Sequence, residues 1–75
     1  MTTYGQQLKQ LREVAGIEAA AIAERMGWAK SQMSKRETGA VVMTEPDFLR
    51  AKAVLLELVS ERDAAFAEAR KAVAS

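Results

Sequence analysis

The chain has 75 residues, eleven Lys/Arg against ten Asp/Glu, and a formal net charge of +1. That length suits one domain with a small core, and the balanced charge excludes a polybasic arm. It contains no Cys and no His, which removes disulfides, Cys-ligated zinc, a thiol nucleophile and the commonest metal ligand and general base. The chain is therefore expected to have no catalytic site, no metal and no cofactor.

The longest apolar runs, residues 19–23, 40–43 and 53–56, fall far short of a membrane span. No basic segment followed by an apolar one opens the chain, so no signal peptide is expected. A soluble, cytoplasmic protein without a membrane partner is the expectation. Charge is split unevenly: residues 1–39 hold six Lys/Arg and four Asp/Glu (+2), and residues 40–75 hold five and six (−1).

Four stretches carry helical patterns. Thr3 with Gln6 three residues later fits a capping box. Tyr4, Leu8, Leu11 and Ala15 then recur on one helical face, and Gly16 sits where the helix would end in the left-handed conformation. Residues 19–26 form a second, Ala-rich pattern. Ile17 before it and Ile22 within it are placed as a hydrophobic staple around Glu18. Gly27 stops this helix. Trp28 and Met33 repeat the staple around Ala29, which has no side chain to cap with, leaving Ser31 as an alternative cap. The third helix runs to about Thr38, with Gly39 as its turn.

Residues 40–43 are all apolar, unusual for a loop. Thr44, Pro46 and Asp47 mark the next helix start. From residue 47 to residue 75 there is no Gly or Pro. Phe48, Leu49, Leu55, Leu56 and Val59 are read as one side of that helix, and Phe66 and Val73 continue from Val59 at spacing seven. Either one helix of nearly thirty residues forms, or the pair Ser60 and Asp63 caps a fresh one. Both readings leave surplus apolar surface on the C-terminal half. It is read either as a homodimer contact, with Val41, Val42, Met43, Val59, Phe66 and Val73 at the interface, or as a helix folded back on its own core.

Ala23, Gly27 and Met33 have a spacing with a physical sense: a small residue at a helix crossing, a turn, and a plug beneath the turn. With the outline LxxLRxxxGI, IAERMGW and SQMSKxExG, this pattern resembles the helix-turn-helix of the phage repressor and Cro family, also called xenobiotic-response-element-like regulators. The resemblance covers roughly residues 4–58. It implies an all-α fold, a small bundle of four or five helices of the phage-repressor DNA-binding type, in a single domain over residues 1–75. Residues 1–43 would be the DNA-reading half, and residues 44–75 the helical dimerisation half.

In that family the third helix enters the major groove. Carried over by position, Lys30, Ser31, Gln32 and Lys35 are candidates for base contacts. Ala19, through its backbone N–H, and Ser34, Arg36 and Thr38 are candidates for the DNA backbone. Arg12 and Glu37 match a family ion pair tying the first helix to the end of the third. The sequence also departs from the pattern. Ala19 stands where Gln is common, Ala29 where Ser or Thr caps, and Arg36 where an apolar residue is usual, so that Arg36 either reaches the DNA backbone or marks altered packing of the third helix. The loop after Gly39 lacks the usual basic residues. Fewer phosphate contacts per copy are implied, which makes binding more dependent on pairing.

Two functions are carried forward. One is a dimeric, sequence-specific regulator, a repressor on an inverted-repeat operator in double-stranded DNA. The other is a protein-interaction module or antitoxin-type regulator that holds a protein partner on its apolar surface.

Overall fold

The structure, a computed structural model, describes residues 2–74; Met1 and Ser75, the two ends of the expected domain, lie outside the described residues. Four helices follow one another: α1 (Tyr4–Ala15), α2 (Ala19–Met26), α3 (Lys30–Thr38) and α4 (Glu45–Ala74). No strand occurs among the described residues. No helix there is long and apolar enough to cross a membrane.

Local chemistry sets the helix ends. The Gln6 N–H donates to Thr3 Oγ1 at 3.1 Å and the Thr3 N–H donates back to Gln6 Oε1 at 3.2 Å, closing the expected capping box. Gly16, Gly27 and Gly39 all take positive φ, between 71° and 88°. At Gly27 open space surrounds the missing Cβ, so the left-handed turn alone accounts for that glycine. The Trp28 N–H then closes the turn on the Ala23 carbonyl at 2.9 Å. Thr44 caps α4, accepting from the Asp47 N–H at 3.3 Å.

α1 packs on α3 and α4, and α2 packs on the same two. The core between them is Leu8, Ile22, Ala23, Met26, Met33, Met43, Phe48, Ala51 and Leu55. Leu8, Ile22 and Met33 are the largest fully buried side chains, each contributing about 1.5–3 kcal/mol of transfer free energy. Ile17 and Trp28 pack against this core from the edge, as the two staples require. Ala23 on α2 and Met33 on α3 both lie in this core, on either side of the Gly27 turn.

Several expectations are corrected here. The inward face of α1 is Gly5, Leu8, Arg12 and Ala15, while Leu11 is 43% exposed. Tyr4 lies at the margin, its ring stacked on Phe48 with centroids 4.9 Å apart. The inward rotation is set by Gly5, which lies so close to α3 that a Cβ there would sit 1.8 Å from the Arg36 carbonyl oxygen. Leu49 and Leu56 do not share the side of Phe48 and Leu55; they are 53% and 69% exposed, because one residue's step turns a helix by about 100°. Ser60 starts no new helix. α4 runs unbroken for 30 residues, about 45 Å, which accounts for most of the molecule's 49 Å length.

The expected boundary at residue 43 does not divide the packing. Met43 is 4% exposed and sits in the same core as Phe48, Ala51 and Leu55 of α4. Met43 is thus withdrawn from the surface where a partner was expected to meet it. Val59 is half-buried against its own core. Val41 and Val42, by contrast, are 38% and 81% exposed.

Candidate nucleic-acid interface

α3 is short and polar, and only Met33 and Glu37 are buried on it. Those two lie one turn apart on a single side, so the opposite side must face outward. That side carries Ser31, Gln32, Ser34, Lys35 and Thr38, all exposed; Lys30, three residues before Met33, is exposed at the first turn of α3 beside the start of α2. Among the described residues neither Lys30 nor Lys35 enters an ion pair. Arg12, Arg25 and Arg62 do. Two cations on α3 are therefore uncompensated by the protein, together with hydroxyls that both donate and accept.

Two anchors hold α3 in place. Arg12 Nε donates to Glu37 Oε2 at 2.9 Å and Arg12 Nη2 to Oε1 at 3.1 Å, a bidentate pair from α1 to the last turn of α3. Arg12 Nη1 also donates to the Ile17 carbonyl at 3.1 Å, so one guanidinium joins α1, the loop before α2, and α3. With Glu37 only 7% exposed, this pair costs desolvation and fixes geometry more than it adds stability. The second anchor is Met33, 1% exposed beneath the turn.

The start of α3 is held by its own side chains. Ala29 caps nothing, but its N–H donates to Gln32 Oε1 at 2.9 Å. Arg36 Nη1 donates to the Gln32 carbonyl at 3.1 Å, and its guanidinium stacks 4.4 Å from the Trp28 ring centroid. Gln32, assigned to bases from the sequence, thus spends its oxygen on the cap and keeps its exposed NH₂ as a donor. Arg36, assigned to the DNA backbone, folds over Trp28 instead, with its Nε buried and unpartnered. Ser31 does not cap, which leaves its hydroxyl outward. The Thr38 hydroxyl donates to the Lys35 carbonyl at 3.2 Å and can still accept.

Beside α3 lies the start of α2. Glu18 makes no side-chain cap bond there; the Ala21 N–H donates to the Glu18 carbonyl at 3.1 Å, and the Ala19 and Ala20 amides have no side-chain cap. A depression of about 310 Å³ joins this end to α3, lined by Glu18, Ala19, Ala20, Lys30, Met33, Ser34 and Glu37. Lys30 and Ser34 favour an anion there. The Glu18 carboxylate opposes one, consistent with the sparse phosphate contacts read from the departures at Ala19 and Ala29.

Sequence reading placed Trp28 as the staple of α3 but missed the close approach at Gly5 and the stacking of Arg36 on Trp28, which set the height and start of α3. Their roles depend on a helix crossing and a ring contact that no local spacing encodes. The Arg25 pair with Glu61, at 2.5 and 2.6 Å, ties α2 to α4 and was also unread. The hydrogen bond from Arg25 holds the Glu61 carboxyl below its ordinary range, with its coulombic attraction adding to the same effect.

No curated protein and no solved structure shows a significant match to this chain. The family model described as "Helix-turn-helix domain" matches residues 3–66, a span that takes in α1, α2, α3 and most of α4. With the turn at Gly27, the plug at Met33 and the outward face of α3, that match places the chain in the helix-turn-helix domain family, a DNA-binding class.

Proposed function

We propose that the protein is a sequence-specific transcriptional regulator of the phage repressor and Cro kind, acting in the cytoplasm as a homodimer. α3 enters the major groove of double-stranded DNA. Lys30, Ser31, Lys35 and the Gln32 NH₂ meet base edges, while Ser34, Thr38 and the Ala19 amide meet phosphates. Repression would follow from occupying promoter DNA. The observation that carries this reading is that α3 carries two exposed lysines in no ion pair, Lys35 on the side turned away from the core and Lys30 at its first turn beside the start of α2.

Two copies on an inverted repeat would place their α3 helices in successive major grooves, about 34–36 Å apart. Selection from a pool of random duplexes tests this. The expected result is an enriched palindrome with half-sites one helical turn apart. Recovery of no palindrome would refute the dimeric-operator reading.

The second reading, an interaction module or antitoxin-type regulator holding a protein partner, is favoured by Val42, 81% exposed in an apolar loop. Salt separates the two. Binding through phosphates weakens steeply as salt rises, whereas an apolar contact holds or tightens.

A further inference from the structure

α4 presents an apolar face along its length, interrupted at Arg62, whose guanidinium donates to the Ala15 carbonyl of its own chain and leaves its aliphatic stem on that face. In its first half Phe48, Ala51, Leu55 and Val59 on that face close the core. Phe66, Ala69 and Val73 continue the same face at helical spacing, beyond the point where α1 ends. There nothing in the chain covers it: Phe66 is 55% and Val73 87% exposed. With Arg70 and Ala74 they line a groove of about 340 Å³. Every described residue from 63 to 74 is exposed, and a lone helix of about a dozen residues is marginal in water. The distal half of α4 thus continues an interface that the first half already uses.

We propose that the occupant is the same segment of a second copy, running antiparallel. The charges choose this direction. In heptad terms Val59, Phe66 and Val73 take one core position, and Arg62 and Ala69 the other. A parallel pair would set Arg62 against Arg62 and face Asp63 and Arg70 with Leu58 and Ala65. An antiparallel pair sets Phe66 against Ala69 of the second copy, and Val73 against the aliphatic stem of its Arg62. Asp63 then faces Arg70 of the second copy twice over, by symmetry, and Ala65 faces Ala72 on the other flank, where small side chains allow close approach. Arg70 enters no ion pair within the chain among the described residues. Asp63 has only its neighbour Arg62, at 3.5 Å.

This arrangement rests on the homodimer reading above and is independent of its DNA step. Sedimentation equilibrium of the full chain without DNA tests it, at chain concentrations up to about 0.5 mM because a contact this short is weak. The wild type is expected to dimerise, and Phe66→Glu to be monomeric with its globular part still folded. Asp63→Arg is expected to weaken the dimer about tenfold, and adding Arg70→Asp to restore it to within about threefold. A monomeric wild type, which is the outcome if a different protein covers the face, overturns the proposal. So does an Asp63→Arg/Arg70→Asp chain no tighter than Asp63→Arg alone. Lys30→Ala/Lys35→Ala should dimerise normally, so loss of DNA binding and loss of pairing are read separately.

Discussion

Replacing Gly5 with Ala probes how closely α1 holds α3. Gly5 is the second residue of α1, so helix propensity alone favours Ala there, by at most about 1 kcal/mol. Packing says the reverse. The added Cβ would lie 1.8 Å from the Arg36 oxygen, 2.7 Å from its carbonyl carbon and 3.2 Å from the Glu37 Cα. All three are backbone atoms and cannot rotate away. Ordinary contact at about 3.5 Å would require α1 and α3 to separate by roughly 1.5 Å. Overpacking of this kind costs about 1–3 kcal/mol, and more where backbone must move. The net loss is then about 2–3 kcal/mol, from a domain whose whole stability is about 4–11 kcal/mol. Thermal melts followed by circular dichroism should show Tm lower by about 10–20 °C. A Gly5→Ala protein as stable as the wild type, or more so, would refute the close approach. Because the strain falls on Arg36 and Glu37, DNA affinity should drop even at temperatures where the variant is fully folded.

Two further outcomes follow from the ion pairs. Glu37→Gln leaves the Arg12 guanidinium half-buried without its counter-charge and should cost about 3 kcal/mol, read from urea melts at neutral pH. A change under about 0.5 kcal/mol would show that solvent reaches the pair. Glu61 has its folded-state carboxyl pKa depressed by Arg25. Its contribution is therefore present above the unfolded-state pKa, about 4.3, and is lost as pH falls through the carboxylate range. Tm of wild type and Glu61→Gln should differ most at neutral pH and converge on acidification; a constant gap would contradict the assignment.

The helix ends were readable in the sequence because they are short-range chemistry. Thr3 and Gln6, Thr44 and the glycines at 16, 27 and 39 each satisfy backbone groups within a few residues. Ser60 with Asp63 carried the same signal and misled. A cap competes with continuing the helix, and residues 61–74 are rich in strong helix formers that keep the backbone bonded without it. Met43 and Val59 were read outward because apolar runs do not say which member faces in. Arg12 and Glu37 were legible only through their place in the family pattern. Trp28 was legible as a staple, but its contact with Arg36 was not; nor was the close approach at Gly5, since a glycine in a helix reads as a cost until the neighbouring backbone is in view.

The central claim is that the outward face of α3 meets duplex DNA with cations the protein leaves free. The most direct measurement is the salt dependence of duplex binding, compared between wild type and Lys30→Ala/Lys35→Ala. The wild type should lose affinity linearly in log–log form, and the double variant should bind more weakly. If both ammoniums reach phosphates as well as bases, its slope should be shallower by about two. Equal affinity and equal slope for the two proteins, with both folded, would contradict it.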